Sequence, residues 1–218
     1  MKRLIFSLLL LLVIFLGACT DEHNVAEDMY DHLEKSVELE GAYQSAQSDL
    51  VELEQQENEL YNEMMEINLN ELDEIQELVD EALASVENRR ELMEQEKESI
   101  DSAKEEFDQV EEYVEELDEE PQQKANDMIE KMNERYEAFN NLYEAYQTSL
   151  DLDAELYEML QNEDLQKEDL DDQVKQVNES YQEVQEAQEQ FNNLTREFND
   201  LKRDFYESSG LNIDFGEE

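Results

Sequence analysis

The sequence is poor in nearly everything that a turn-rich or cross-linked fold needs. One Pro and four Gly are spread over 218 residues. That is too few to punctuate the turns of a β-sandwich, a barrel or a doubly wound sheet. A single Cys excludes an intramolecular disulfide and a thiolate zinc site, and there is no Trp. Positive charge is scarcest of all relative to its opposite. Fifteen Lys and Arg face 63 Asp and Glu, for a formal net charge of −48. A polyanion of this density is repelled by phosphate backbones, which excludes direct nucleic-acid binding. Long helices or a disordered polyelectrolyte remain. The 39% hydrophobic content decides for helices once it proves periodic.

The one Cys sits at the end of an address. Lys2 and Arg3 precede an apolar run from Leu4 to Leu16, broken only by Ser7. The run is too short to span a bilayer, which takes roughly 20 apolar residues, and has the length of a signal-peptide core. It ends in Leu16, Gly17, Ala18 and Cys19, which looks like a bacterial lipobox. Small residues let an extended backbone enter a peptidase site, and the thiol is the lipid acceptor. Residues 1–18 read as a leader and 19–24 as a lipidated tether. Acyl chains would hold the N-terminus in the membrane, each buried CH₂ contributing about 0.8 kcal/mol. Loss of the leader removes Lys2 and Arg3 and no acid, so the mature chain is still more negative. The expected location is the extracytoplasmic face of the cell membrane.

The rest is periodic text. Alternate steps of three and four give Leu72, Ile75, Val79, Ala82, Val86, Arg89, Met93, Glu96, Ile100, Ala103, Phe107, Val110, Val114 and Leu117. Only Arg89 and Glu96 are polar on this seam, which has the heptad form of helices packed at shallow angles. A second seam runs from Leu39 to Ile67 with Glu57 as its one polar member. It continues upstream through Ala26, Tyr30, Leu33 and Val37 after a shift of face near Gly41. A third runs from Ala125 to Leu160 with Asp153 as its one polar member. A fourth steps by seven through Leu170, Val177, Val184, Phe191, Phe198 and Phe205. Asn70 and Asp73 form a candidate N-cap box, and Gly210 a helix stop. The expected fold is all-α: an elongated antiparallel bundle or coiled coil of four long helices at about 25–66, 71–118, 122–161 and 167–208. Residues 209–218 read as a loose acidic tail. Separate helical hairpins, or a homo-oligomer that completes the narrow seams, are the alternatives.

Chemistry is sparse. Glu111-Glu112, Glu115-Glu116 and Glu119-Glu120 are acid pairs on solvated faces, with no cleft to shift their pKa values. No Gly sits inside Asp169-Leu170-Asp171-Asp172 to make a calcium loop. His32 has no second His within helical reach. The sequence therefore predicts no catalytic residues, no metal and no cofactor. The tyrosines near one stripe, Tyr136, Tyr143, Tyr146 and Tyr157, read as core, with sugar stacking as the alternative. Few lysines beside so many acids suggest a halotolerant source, or else an acidic surface made for one partner. If the second and third helices fold back near residues 119–120, opposing positions sum to about 239. Arg89 then lies one turn from Asp153, and Glu96 faces Tyr143. An Arg89–Asp153 pair and a Tyr143–Glu96 hydrogen bond are expected. Such buried pairs set register more than they add stability.

The lipobox, Asn58-Glu59-Leu60-Tyr61-Asn62, the run Lys97–Phe107, Leu142-Tyr143-Glu144-Ala145-Tyr146, Leu156–Leu160 and Asn178-Glu179-Ser180-Tyr181 resemble the YkyA-like family of bacilli. The likeness covers nearly all of the mature chain. Members are described as cell-wall-binding lipoproteins, which implies contact with peptidoglycan or wall polymers and carries no catalytic motif. Where members of that family are rich in Lys, this chain has Glu, Asp or Gln. The resemblance implies a non-catalytic envelope-binding or spacer lipoprotein. The alternative is a helical interaction module that docks a membrane or secreted protein. Replacement of the lipid acceptor, Cys19→Ala, should leave the protein unprocessed or free of the membrane, with no fatty-acid label on the product. Acyl label that persists on the alanine variant would refute the assignment.

Overall fold

The computed structural model describes residues 24–67, 72–162, 164–211 and 213. Leu16, Gly17, Ala18, Cys19, the tether as far as residue 23, the Asn70 cap and most of the acidic tail lie outside these residues. Five α-helices follow one another: α1 Val25–Leu39, α2 Gly41–Glu66, α3 Leu72–Asp108, α4 Glu119–Leu160 and α5 Lys167–Ser208. A 3₁₀ segment, Gln109–Glu116, extends α3. No strand occurs among the described residues. The elements make four antiparallel rods, α1 with α2, α3 with its 3₁₀ extension, α4 and α5. This is the four-rod bundle that the seams predict. The 42 residues of α4 span about 63 Å.

Two rods depart from the expectation in form, and α4 begins at Glu119 rather than about 122. The first rod is two helices rather than one, broken at Glu40. Gly41 weakens the helix there, and the buried stripe changes face across it. The break is internally satisfied. Ser99 Oγ donates to the Leu39 carbonyl at 2.6 Å and accepts the Tyr43 N–H at 3.3 Å. Arg135 clamps the Glu40 carboxylate with both Nη groups, at 2.7 and 2.8 Å. The second rod tightens to 3₁₀ at Gln109. The like-charged i,i+4 pairs Glu111–Glu115 and Glu112–Glu116 disfavour an α-helix there, while Val110 and Val114 stay buried.

The rods pack in sequence, α1 and α2 on α3, α3 on α4, and α4 on α5. On the fourth side the first rod and α5 meet through side chains, such as the edge-on contact of Tyr43 with Phe191. The core falls into two blocks. One joins Met29, Leu33, Phe107, Met128, Phe198 and Phe205 at the end where α1 begins. The other runs from Phe139 and Phe191 to Met64 and Ile75. Every seam residue of α3 from Ile75 to Phe107 is buried, Arg89 and Glu96 included. The α5 helix closes with Gly210 at φ +71, the left-handed turn that favours Gly, and Leu211 N–H returns to the Tyr206 carbonyl at 3.1 Å.

Charge forms the sheath. Every Lys and Arg from Lys35 to Arg203 has a partner. Each meets a carboxylate except Arg196, which donates to Asn193. Most acids outnumbering them face solvent and repel one another. The rod concentrates those charges and the unfolded chain spreads them, so screening favours the fold. The melting temperature followed by circular dichroism should rise from low to molar salt, and magnesium should act at lower concentration. A flat response would refute the self-repulsion.

Candidate functional site

The far core block contains a charged knot. Arg89 projects from the middle of α3 and is only 1% exposed. Its Nη1 donates to both oxygens of Glu57 on α2, at 2.9 and 3.0 Å, and to Asp153 Oδ2 on α4 at 3.2 Å. Its Nε donates to the Tyr146 hydroxyl at 3.1 Å and its Nη2 to the Tyr181 hydroxyl of α5 at 2.5 Å. The two tyrosines in turn donate hydrogen bonds to carboxylates. Tyr146 donates to Glu54 Oε1 at 2.6 Å and Tyr181 to Asp153 Oδ2 at 2.5 Å. Tyr157 adds a hydrogen bond to Glu57 Oε1 at 3.1 Å. The guanidinium also lies over the Tyr146 ring, 5.2 Å from its centroid. One side chain thus ties all four rods together.

The knot is a high-stakes arrangement. Burial works against the Arg89 charge, but the tyrosines, Glu57 and Asp153 outweigh it and keep the guanidinium protonated. Burial pushes the Asp153 carboxyl up to about 6, although Tyr181 and Arg89 pull the other way. Burial likewise drives the hydroxyls of Tyr146, Tyr157 and Tyr181 above the ordinary phenol range. They act as donors and acceptors, never as phenolates. Removing one member of such a buried pair costs about 3–5 kcal/mol, because it strands the others.

Above the knot the bundle is open. A cleft of about 360 Å³ lies between α2 and α5, with Arg89, Asp153 and Tyr157 on its floor. Glu54, Glu57, Asn58 and Tyr61 form the α2 wall, and Val174, Val177, Asn178 and Tyr181 the α5 wall. No group of three His, Cys, Asp or Glu set to hold a metal occurs among the described residues.

The Arg89–Asp153 contact stands where the fold-back arithmetic puts it, 3.2 Å apart. The expected Tyr143–Glu96 hydrogen bond is not made. Gln47 on α2 donates to Glu96 Oε1 at 2.8 Å instead, and Tyr143 packs at the edge of the apolar core. The pairing arithmetic considered only α3 and α4 and so overlooked a donor from the first rod. Glu57, Tyr146 and Tyr181 also escaped it. Glu57 was legible by the rule that singles out Arg89, since it alone is polar on its seam. His32 Nδ1 pairs with Glu106 Oε1 at 2.7 Å, near the end where α1 begins.

The sequence profile of a family described as "Putative cell-wall binding lipoprotein", YkyA, matches residues 24–208. The chain belongs to the YkyA family. Within it, the uncharacterized lipoprotein YkyA of Bacillus subtilis (strain 168) is 30% identical over 167 residues, covering 76% of this chain and 74% of that protein. The 1.6 Å crystal structure of a conserved protein of unknown function from Staphylococcus aureus superposes with a TM-score of 0.71 at 14% identity. It covers 83% of this chain and 91% of the other, a likeness of fold. The YkyA description speaks of binding, not of a reaction. Among the described residues no helix is long and apolar enough to cross a membrane.

Another buried acid, Glu96, lies apart from the cleft. Glu96 is fully buried, and its Oε2 has no partner. Burial raises its pKa from 4.5 to about 7, against the pull of the Gln47 hydrogen bond. The fold therefore holds a proton that the unfolded chain has released. This contribution is fully present below the ordinary carboxylate pKa and is lost as pH rises through 7. Glu96→Gln keeps the neutral form at every pH. Relative to the parent it should gain stability from pH 5 to 8, up to about 3 kcal/mol. Parallel pH curves for the two proteins in urea melts would refute the buried proton.

Proposed function

We propose that the protein is a lipid-anchored, non-catalytic spacer and wall-contacting lipoprotein of the cell membrane's outer face. Cys19 would carry the acyl chains, residues 19–24 the tether, and residues 25–208 the bundle. The carrying observation is the family to which residues 24–208 belong. The fold is consistent with it, since α1 begins at one end of the bundle and leaves only a short tether to Cys19. The rod would then place the outer end of the far block, at Met64 and Ile75, about 60 Å from the end where α1 begins. The cation census shapes the mode of contact. With each Lys and Arg of the bundle already partnered, no free basic patch is present among the described residues to draw anionic wall polymers. Approach of two polyanions needs counterions or divalent bridges.

The same census favours a second reading, an interaction module whose helical surface docks a membrane or secreted protein. Co-sedimentation of the purified protein with protein-free sacculi separates the two. Binding should rise with added magnesium, and chelation at low salt should loosen it. Binding that falls steadily with magnesium, or none at any concentration, would transfer the function to a protein partner.

A further inference from the structure

The cleft over Arg89 has a chemistry of its own. Each donor atom in its floor already has an acceptor: the guanidinium nitrogens meet Glu57, Asp153, Tyr146 and Tyr181, and the hydroxyls of Tyr157 and Tyr181 meet carboxylates. What remains are acceptors. Asp153 lines the cleft at 3% exposure. Its Oδ2 takes both Arg89 and Tyr181, and its Oδ1 takes no hydrogen bond from any described residue. Glu54 uses Oε1 for Tyr146, with Arg89 Nη2 3.8 Å away, and its side chain is 39% exposed. Three carboxylates, Glu54, Glu57 and Asp153, surround one guanidinium, so the floor has an excess of negative charge.

An anion is repelled by that excess and cannot reach the buried guanidinium. A bare divalent ion wants a full shell of oxygens, whereas Tyr61, Val174 and Val177 make much of the wall apolar. A cation that brings hydrogen-bond donors at one end and an alkyl stem behind them satisfies both surfaces. Charged donors to carboxylates give the stronger hydrogen bonds, and the stem covers apolar wall.

We propose that the cleft between α2 and α5 binds a primary alkylammonium group, held by Glu54 and Asp153, with its stem against Tyr61, Val174 and Val177. The group could belong to a free amine in solution or to a lysine-like side chain on a wall peptide. Only the second source rests on the wall-contacting reading.

The test is calorimetric titration of the full chain in mild detergent. Nα-acetyl-lysine and 1,5-diaminopentane are the probes, and Nα,Nε-diacetyl-lysine, with the same stem and no ammonium, is the control. The two amines should bind and the control should not. Glu54→Gln removes one charged acceptor at a partly exposed position and should weaken binding about tenfold. Asn178→Lys, on an exposed rim position, supplies a tethered ammonium and should weaken it at least as much. Glu54 meets Arg89 only through a 3.8 Å ion pair, and Asn178 bonds to the Val174 carbonyl, so a native melting profile is checked in both before titration. Equal binding of the diacetylated control, unchanged affinity in both variants, displacement of the amine by magnesium alone, or no heat with either amine would each overturn the proposal. Competition with sacculi then identifies the source. Displacement of the bound amine puts the ammonium on the wall. Sacculi that bind without displacing it leave wall contact standing elsewhere on the bundle and the cleft to free amines.

Discussion

Much of this structure depends on one guanidinium. Arg89 is the side chain that α2, α3, α4 and α5 all address, and it does so with the planar fork that only Arg provides. A lysine could not meet Glu57 twice and still face Asp153, Tyr146 and Tyr181. Because the knot sits inside an apolar block, only one rotation and one axial position of each rod leaves no charge stranded. A half-turn slip of α4 would remove Asp153 from Arg89 and cost several kcal/mol. Apolar seams of similar residues are weak rulers, since sliding one leucine past another changes little. Here a buried ion network supplies the ruler.

A second constraint is charge in bulk. The chain folds although its acids outnumber its bases fourfold, because the repelling groups stand on the outside of a long, thin shape. A rod gives like charges more separation than a sphere of equal volume. The few cations then serve two purposes. Lys97, Lys104, Lys167 and Lys175 each neutralise an acid one turn on along their own helix, contacts worth a few tenths of a kcal/mol each. Arg89 and Arg135 are buried and join rods. Arg135 holds the break in the first rod through Glu40 while it lies over the Phe191 ring, 4.9 Å from its centroid. The two buried Arg thus serve geometry, and these four Lys serve neutralisation.

The cleft and the knot are two aspects of one feature. Polar groups kept inside a bundle hold the rods apart, as bulky tyrosines do, and the fourth side, between the first rod and α5, is where the separation opens to solvent. A site built on long helices is stiff, and one near the middle of a rod is accessible without needing a loop.

Helix content, the number of rods and their order were legible from periodicity alone, because a heptad repeat is a local property and short connectors leave antiparallel neighbours as the natural outcome. The Arg89–Asp153 neighbourhood was also legible, since Arg89, the one basic residue on its seam, and Asp153, the one polar residue on its own, must find one another or stay stranded. What the seams did not carry was breadth. On α4, a second line of buried residues steps by seven through Met128, Arg135, Leu142, Ser149 and Leu156 beside the expected one. It exists because α4 packs on two rods at once, and a single-file reading assumes one neighbour. Arg135 and its clamp on Glu40 were hidden for that reason, as was the Gln47 donor that displaces Tyr143 from Glu96. Sequence by itself determined that the apolar seams leave water, because transfer free energy belongs to each side chain. Only the tertiary structure decided which buried polar groups meet, because a hydrogen bond depends on the joint placement of atoms from rods far apart in the chain.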